Sequence, residues 1–267
     1  MLNISRGSFY YHSRSFKKQN EDALWLDRID KVLCEFPAHG TRQVTEYLKK
    51  QGLRVNRKRI QRLMREHGLL QVVKRRWIKT TDSEHSWPRY PNLIRGLPVE
   101  RINQVWVSDI TYIRILTRFV YLAVILDAFS RKVVGYALGT TLEADLTVAA
   151  LRMALASRQL SIGCIHHSDQ GVQYASEAYT SLLKEHHFQI SMAAKGNPYE
   201  NAMAESFFKT LKREEVYLWE YRTMDDVKQR IPFFIQQVYN KKRLHSALDY
   251  CSPEEFESAL QKPSCLV

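Results

Sequence analysis

Three strand patterns follow one another closely in the middle of the chain, and they constrain the fold more than any other feature. Residues 105–115, 119–126 and 131–138 are rich in β-branched and aromatic side chains, and only a few residues separate them. Such short connections predict an antiparallel meander. The longest uninterrupted apolar run, residues 119–126, spans eight residues, whereas a transmembrane helix needs roughly 18. We therefore expect a cytoplasmic rather than a membrane protein.

The segments after the meander alternate between strand and helix patterns. Short strands are predicted at residues 164–167 and 189–192. Helices are predicted at residues 143–158 and 176–187, and from about Tyr199. Strands and helices that alternate in this way indicate the α/β class, with a mixed sheet flanked by helices.

Positive charge is concentrated near the start of the chain. The net charge of the whole chain is +12, and residues 42–79 alone hold 13 basic and two acidic residues. A solubilising surface would intersperse both signs, so this segment favours a polyanionic partner, and nucleic acid is the obvious one.

The same basic region has the pattern of a small all-α domain. Helices are predicted at residues 21–35 and 41–51, and a third begins after the N-cap residue Asn56 and ends at Gly68. This third helix exposes four basic residues, Arg57, Lys58, Arg62 and Arg65. A helix, a short glycine turn and a basic helix are typical of a helix-turn-helix that enters the DNA major groove. An ordinary three-helix bundle would give a similar pattern.

Changes in pattern along the chain suggest five segments. A stretch with Pro88, Pro91, Gly96 and Pro98 shows no periodicity and is predicted to link two domains. The predicted segments are an N-terminal tail (1–20), a helix-turn-helix DNA-binding domain (21–80), a linker (81–100), an α/β domain (101–220) and a C-terminal helical segment (221–267), with a kink at Pro232.

Three carboxylates in the α/β domain occupy unusual positions. Asp109 shares a strand face with Val107, and that face should be buried. Asp169 follows a strand, at the end where open α/β sheets collect ligands. Glu205 lies at the rim of the apolar stripe of the helix predicted at residues 200–216. Any one of these residues alone would more often be structural. Brought into one cleft, the three would repel one another unless divalent cations took up the charge, and Mg²⁺ suits such oxygen ligands.

The segments around these carboxylates resemble the DDE transposase and retroviral integrase superfamily, specifically the second-frame transposase of IS3-family insertion sequences. Asp169 and Glu205 are separated by 35 residues, the spacing typical of that group. The motifs that carry the resemblance are WVSDITY (106–112), HSDQGVQY (167–174) and NAMAESFFK (201–209), and weaker similarity extends to residues 55–66 and 239–255.

The resemblance implies a ribonuclease-H-like core in which Asp109, Asp169 and Glu205 are both catalytic residues and ligands of Mg²⁺, with Mn²⁺ as a possible substitute. It also implies that Lys212, and with it Lys209, contacts DNA near the cleaved bond. The expected function is metal-dependent strand cleavage and strand transfer at the ends of an insertion sequence.

The expected partners are double-stranded DNA, both the element ends and the target, and further copies of the chain on that DNA. The resemblance also implies fusion to an upstream-frame DNA-binding domain and a nucleoid-associated location in bacteria. Two alternatives remain open: a catalytically silent DNA-binding regulator, and a stand-alone ribonuclease-H-like nuclease. His166 and His167 are interpreted as packing residues and are not assigned to the site.

Overall fold

The chain divides into two compact units, residues 1–76 and 77–267. The computed structural model describes residues 6–70, 89–116, 118–160, 162–193 and 201–261, with the backbone alone described for residues 6–20. Within these residues, no helix is long and apolar enough to cross a membrane.

The described residues of the first unit form three helices, α1 (Arg6–Glu35), α2 (Thr41–Lys50) and α3 (Arg57–Glu66). The first helix begins at Arg6, whereas the sequence predicts a start at residue 21 after a separate tail. No proline interrupts the chain between these positions, so nothing in the covalent structure stops the helix there. Residues 1–5 of the predicted tail lie outside the described part.

The connection from α2 to α3 has the predicted form. Gly52 has a φ of +82°, a conformation that favours glycine, and the Leu53 N–H donates to the Leu48 carbonyl at 3.1 Å to close the end of α2. Asn56 then caps α3, because its side-chain oxygen accepts the Lys58 N–H at 2.8 Å. The predicted apolar stripe of α3 is buried: Ile60, Leu63 and Met64.

The second unit is built on a five-stranded mixed sheet, which confirms the predicted α/β class. Its strands are β1 (Val105–Arg114), β2 (Phe119–Asp127), β3 (Val133–Gly139), β4 (Ile165–Ser168) and β5 (Gln189–Met192). The order across the sheet is β3-β2-β1-β4-β5. The first three strands are antiparallel neighbours, as the meander predicts, whereas β4 runs parallel to β1 and β5 runs parallel to β4.

Helices cover both faces of this sheet. They are α4 (Ala144–Ser157), α5 (Val172–Ala175), α6 (Glu177–Glu185), α7 (Ala202–Glu214), α8 (Met224–Phe233) and α9 (Pro253–Gln261). Short 3₁₀ helices span Val216–Leu218 and Ser246–Leu248. Pro232 lies inside α8, and a π-helical stretch (Phe234–Asn240) follows directly. Proline cannot donate a backbone hydrogen bond, so irregular turns at this predicted kink have a local cause.

Alternation along β1 divides the core into two parts. Val107 and Ile113 point to one face and pack with Phe207 of α7 and with buried residues of α8. Trp106 points to the other face and packs with residues of α4 and α6. The central strand is thus buried on both faces over residues 105–108 and becomes partly exposed at Asp109 and Ile110.

Two predicted segments differ from their expected character. Residues 89–100 of the predicted linker pack on the second unit: Leu97 and Val99 contact its core, and the Leu93 N–H donates to the Ser191 hydroxyl at 2.9 Å. Residues 81–88 lie outside the described part. Beyond residue 220, Ile231 and Tyr239 belong to the same core as β1 and α7, so the C-terminal segment forms part of this unit.

Candidate active site

Two of the predicted carboxylates lie side by side because of strand register. In the parallel pairing of β1 with β4, the last pair of residues is Ser108 with Ser168. Asp109 and Asp169 are the next residue of each chain segment. Because the pairing of β1 with β4 ends at Ser108 and Ser168, both aspartates lie at the carboxyl end of the paired strands, where ligands bind in open α/β sheets.

Asp109 sits where the apolar face of β1 ends. It shares that face with the buried side chains of Val107 and Ile113, and its Oδ1 accepts the Ile110 N–H at 2.7 Å. Burial, together with the negative charges of Asp169 and Glu205, raises the pKa of the Asp109 carboxyl to about 8. The Ile110 N–H and the charge of Lys212 oppose this rise without cancelling it.

Asp127 shows how a structural carboxylate in this fold differs from Asp109. It is fully buried at the end of β2 and accepts three backbone N–H groups, those of Asn103, Phe129 and Ser130, at 2.6 to 2.9 Å. These bonds fix the turn after β2. Asp109 accepts one such bond and lies near the charges of further carboxylates. This arrangement stabilises the fold poorly and is typical of a functional site.

Asp169 is oriented by the loop that follows β4. Its Oδ1 accepts the Gly171 N–H at 3.0 Å. A Cβ at position 171 would lie 2.9 Å from that same oxygen. An alanine at this position would therefore force the Asp169 carboxylate to shift, so the role of glycine after Gln170 rests on close approach rather than on backbone conformation.

Glu205 is carried by α7. The buried side of that helix consists of Ala204, Phe207, Phe208 and Leu211, and Glu205 is exposed beside it in the first turn. Its charge contributes to the raised pKa of Asp109, so the third predicted carboxylate is electrostatically coupled to the first. The segment from residue 194 to residue 200, where the helix is predicted to begin, lies outside the described part.

Lys212 makes a contact that the sequence does not predict. It lies two turns after Glu205 on α7, and its Nζ lies over the ring of Tyr112, 4.7 Å from the ring centre. Partial burial lowers the pKa of Lys212, and the charge of Asp109 opposes that effect. Lys209, the other predicted DNA contact on this helix, is exposed.

The buried residues behind the aspartates form hydrogen bonds that sequence reasoning missed. The Ser108 hydroxyl donates to the Tyr174 hydroxyl at 3.0 Å, which joins β1 to α5 next to both aspartates. His166 and the Tyr179 hydroxyl are 2.8 Å apart, and His167 lies 2.8 Å from the Ser191 hydroxyl. Burial lowers the pKa of His166 to about 3, so this imidazole is neutral, as expected of a packing residue.

The donor chemistry of the cluster fits a hard divalent cation. In the described part of the chain, no three His, Cys, Asp or Glu side chains are gathered closely enough to form a ready-made metal site. Asp109 and Asp169 nevertheless offer carboxylate oxygens at one strand edge, and repulsion from Asp169 adds to the burial that raises the pKa of Asp109. A divalent cation would relieve that repulsion, because it favours the ionised form of each ligand.

In the first unit, α3 presents basic side chains in two different environments. Arg57, Lys58 and Arg65 are exposed. Arg62 is instead paired with Asp22 of α1 at 2.7 Å and with Glu66 at 2.8 Å. The predicted basic helix therefore exists, but two of its five basic residues, Arg59 and Arg62, pair with Asp22 and join α3 to α1.

Comparisons with known protein families match both units. Residues 19–77 match an HTH-like domain, and residues 99–198 and 186–253 match integrase core domains. The structure is similar to a chain of the simian T-cell lymphotropic virus intasome, with a TM-score of 0.50 and 16% identity over 90% of this chain and 76% of that chain. This likeness supports the fold. Together with the paired aspartates, these matches define a DDE-type DNA recombination enzyme.

Relatives identify the family. The chain is 38% identical to the transposase of insertion sequence IS904 from Lactococcus lactis, over 92% of this chain and 98% of the relative. It is 36% identical to a 31 kDa protein of IS600 from Shigella sonnei, over 96% of each chain. It is 35% identical to the transposase of IS3A from Escherichia coli, over 82% of this chain and 77% of the relative.

The chain belongs to the IS3-family insertion-sequence transposases. It is a DNA-binding enzyme of DNA transposition and integration, as the sequence predicts. An integrase core further implies that its activity depends on divalent metal ions.

Proposed function

We propose that Asp109, Asp169 and Glu205 are the catalytic carboxylates of this transposase and that they hold Mg²⁺, with Mn²⁺ as a substitute. The observation that carries this proposal is the register of β1 and β4, which places the two aspartates at one strand edge directly after Ser108 and Ser168. The coupling of Glu205 to Asp109 adds the third member from α7.

The reaction proposed for this site is phosphodiester transfer in two steps. In the first, water attacks the phosphorus at the element end, and the bond to the 3′ oxygen breaks, which frees a 3′-hydroxyl. In the second, the oxygen of that hydroxyl forms a bond to a phosphorus of the target. The bond from this phosphorus to the target's own 3′ oxygen breaks, and that oxygen leaves as a hydroxyl with the proton that the attacking hydroxyl has lost. When bound, a divalent cation supplies charge neutralisation and activation of the attacking oxygen. The carboxylates fix its position, and no covalent enzyme intermediate is needed.

DNA contacts are proposed for both units. In the second unit, Lys212 and the exposed Lys209 carry positive charge on the helix that also holds Glu205, so a phosphate near the cleaved bond lies within their reach. In the first unit, the exposed side of α3 supplies Arg57, Lys58 and Arg65. Arg62 is proposed to contribute mainly through its bond to Asp22.

The active complex is proposed to contain more than one copy of the chain, because transposition joins two DNA ends. Fusion to an upstream-frame DNA-binding domain is the corresponding proposal for end recognition. Mass measurement of the chain on a duplex that carries one element end, and on a duplex that carries two, tests the first proposal. A mass of one copy on each duplex would contradict it.

The carboxylate assignment is tested with Asp109→Asn, Asp169→Asn and Glu205→Gln, each assayed for nicking of element-end DNA with Mg²⁺. Each substitution is expected to abolish cleavage and to spare DNA binding, since it removes one charge and little volume. Asp145→Asn, at an exposed carboxylate of α4, is the matched control and should cleave normally. Normal nicking by any of the three variants would remove that residue from the site. If the unaltered chain binds element ends without cleaving them, the alternative of a silent regulator is favoured instead.

The role of α3 is tested by the salt dependence of binding. Replacing Arg57, Lys58 or Arg65 by Ala should lower the slope of log affinity against log salt by about 0.9 for each phosphate that the variant no longer neutralises. Arg62→Ala should instead lower the thermal stability of the first unit. Lys31→Ala, an equal change of charge on α1, serves as the control. Unchanged slopes for all three exposed residues would show that this side of α3 does not face DNA.

A further inference from the structure

The ammonium of Lys212 and the ring of Tyr112 meet although their elements belong to opposite faces of the sheet. α7 packs on the face of β1 that carries Val107 and Ile113. Tyr112 pairs with Tyr121 in the β1–β2 register, and Tyr121 packs with the core of the other face. The Lys212 side chain must therefore cross the edge of β1 to place Nζ 4.7 Å from the centre of the Tyr112 ring.

That edge is open because β4 is short. β4 pairs with β1 only as far as Ser108, so among the described residues positions 109–114 of β1 pair with β2 alone. The open stretch begins at Asp109, and the charge of Lys212 acts on the Asp109 carboxyl. The crossing point of the lysine thus lies at the same strand edge as the carboxylate site.

The Tyr112 ring is itself held in place by a second aromatic side chain. Phe119 lies 5.2 Å from it, centre to centre, with the two rings nearly perpendicular at 81°. Phe119 is 44% exposed, so this contact between the two rings lies at the surface rather than in the core. No acidic residue occurs between Asp109 and Asp127 in the sequence, so no carboxylate of this hairpin competes for the ammonium.

We propose that Tyr112 is a positioning residue that holds the Lys212 ammonium across the open edge of β1, where it meets the DNA strand that is being cut. This inference rests on the proposed DNA contact of Lys212. A lysine side chain loses much rotamer freedom when its end is fixed, and the ring face reduces that loss by restricting the ammonium before DNA arrives. A ring attracts the cation through its face, so N–H donors of the ammonium stay available for a phosphate.

The test compares single-turnover cleavage of element-end DNA, at saturating Mg²⁺, by four variants of the full chain. Tyr112→Phe keeps the ring, Tyr112→Ile removes it but suits a strand, Lys212→Met removes the ammonium, and the last variant combines Tyr112→Ile with Lys212→Met. Tyr121→Ile is the matched control, because it removes the cross-strand neighbour of Tyr112 on the same face. A series of fluorinated phenylalanines at position 112 weakens the ring's attraction without changing its shape and provides the test if Tyr112→Ile does not fold.

If the inference is correct, Tyr112→Phe cleaves within about twofold of the unaltered enzyme and Tyr112→Ile is about 3- to 30-fold slower, the range that a partly desolvated cation–π contact allows. The double variant should be no slower than Lys212→Met by more than about twofold, because the ring acts only through the ammonium. Rates should fall stepwise with each added fluorine.

Several outcomes would overturn the inference. A normal rate for Tyr112→Ile together with a slow Lys212→Met would remove Tyr112 and leave the proposed DNA contact of Lys212 intact. A normal rate for Lys212→Met would reject that contact itself. Equal loss in Tyr112→Phe and Tyr112→Ile would assign the effect to the hydroxyl, and equal loss in Tyr121→Ile would assign it to packing of the hairpin.

Discussion

An ion pair with little solvent exposure links the C-terminal segment to the helix of Glu205, and its loss should be measurable. The Arg243 guanidinium donates two hydrogen bonds to the Glu214 carboxylate, both at 2.9 Å. The side chains are 14% and 8% exposed, so water screens the pair little. Arg243→Gln would leave a buried carboxylate without its cation, which costs roughly 3–5 kcal/mol in a fully buried pair. Because Arg243 retains some exposure, we expect about 2–4 kcal/mol.

This loss corresponds to a fall of roughly 5 to 15 °C in the melting temperature of a unit of this size. The assay is thermal unfolding of the full chain, with Glu214→Gln and the double variant completing a cycle. The double variant should recover much of the stability, since it leaves no unpaired charge. Arg222→Gln, which breaks an ion pair that is 70% exposed on both sides, is the control and should cost less than about 1 kcal/mol. Equal, additive losses from both single changes would refute the reasoning.

Two further predictions concern the carboxylate edge. Without metal, Asp109→Asn should stabilise the protein near pH 7.5 in urea unfolding, by at most about 5 kcal/mol. The Asp109 carboxyl has a pKa of about 8 in the folded protein and near 3.8 in the unfolded chain, so the stability of the unaltered protein falls as the pH rises between these values. The Asn variant lacks this loss. Parallel profiles of stability against pH for the two proteins would contradict the prediction. Gly171→Ala should slow cleavage at least about tenfold by displacing the Asp169 carboxylate, because interactions in the site depend on placement within about 1 Å. Gly40→Ala is the control for the same added methyl group, since nothing lies within 4 Å of its Cβ position, and equal rates for both would show that Asp169 tolerates the shift.

Local pattern predicted most of the fold. Apolar periodicity and caps act over a few residues, so the helix after Asn56 and the strands of the meander could be placed from sequence. The proximity of Asp109 to Asp169 also follows from sequence, because Asp109 lies on one predicted strand, Asp169 follows another, and the motifs around them resemble one family. Both predictions depend on residues that are neighbours in the chain or in a known arrangement.

Contacts between distant parts of the chain could not be predicted in the same way. Arg62 looks like an exposed basic residue of α3 until α1 brings Asp22 to within 2.7 Å of it. Lys212 follows Glu205 on one helix, yet its ammonium lies on a strand residue of the opposite face, and no periodicity describes that crossing. Packing across the fold determines both positions, and such contacts lie outside any window of sequence.

The C-terminal segment illustrates the same limit and its functional consequence. The Asn240 side chain forms hydrogen bonds with both backbone groups of Val133 at 3.0 Å, and Tyr239 packs edge-on against Phe207 of α7 at 4.8 Å. One anchor is therefore on the sheet and the other on the helix that carries Glu205. A third carboxylate supplied by a helix, rather than by a strand, can be placed relative to Asp109 only if that helix is fixed to the sheet from both sides. Phe207 provides contact with the sheet core itself, and the residues after Tyr239 provide the second attachment, so a segment far from the reacting atoms helps to fix the geometry of the site.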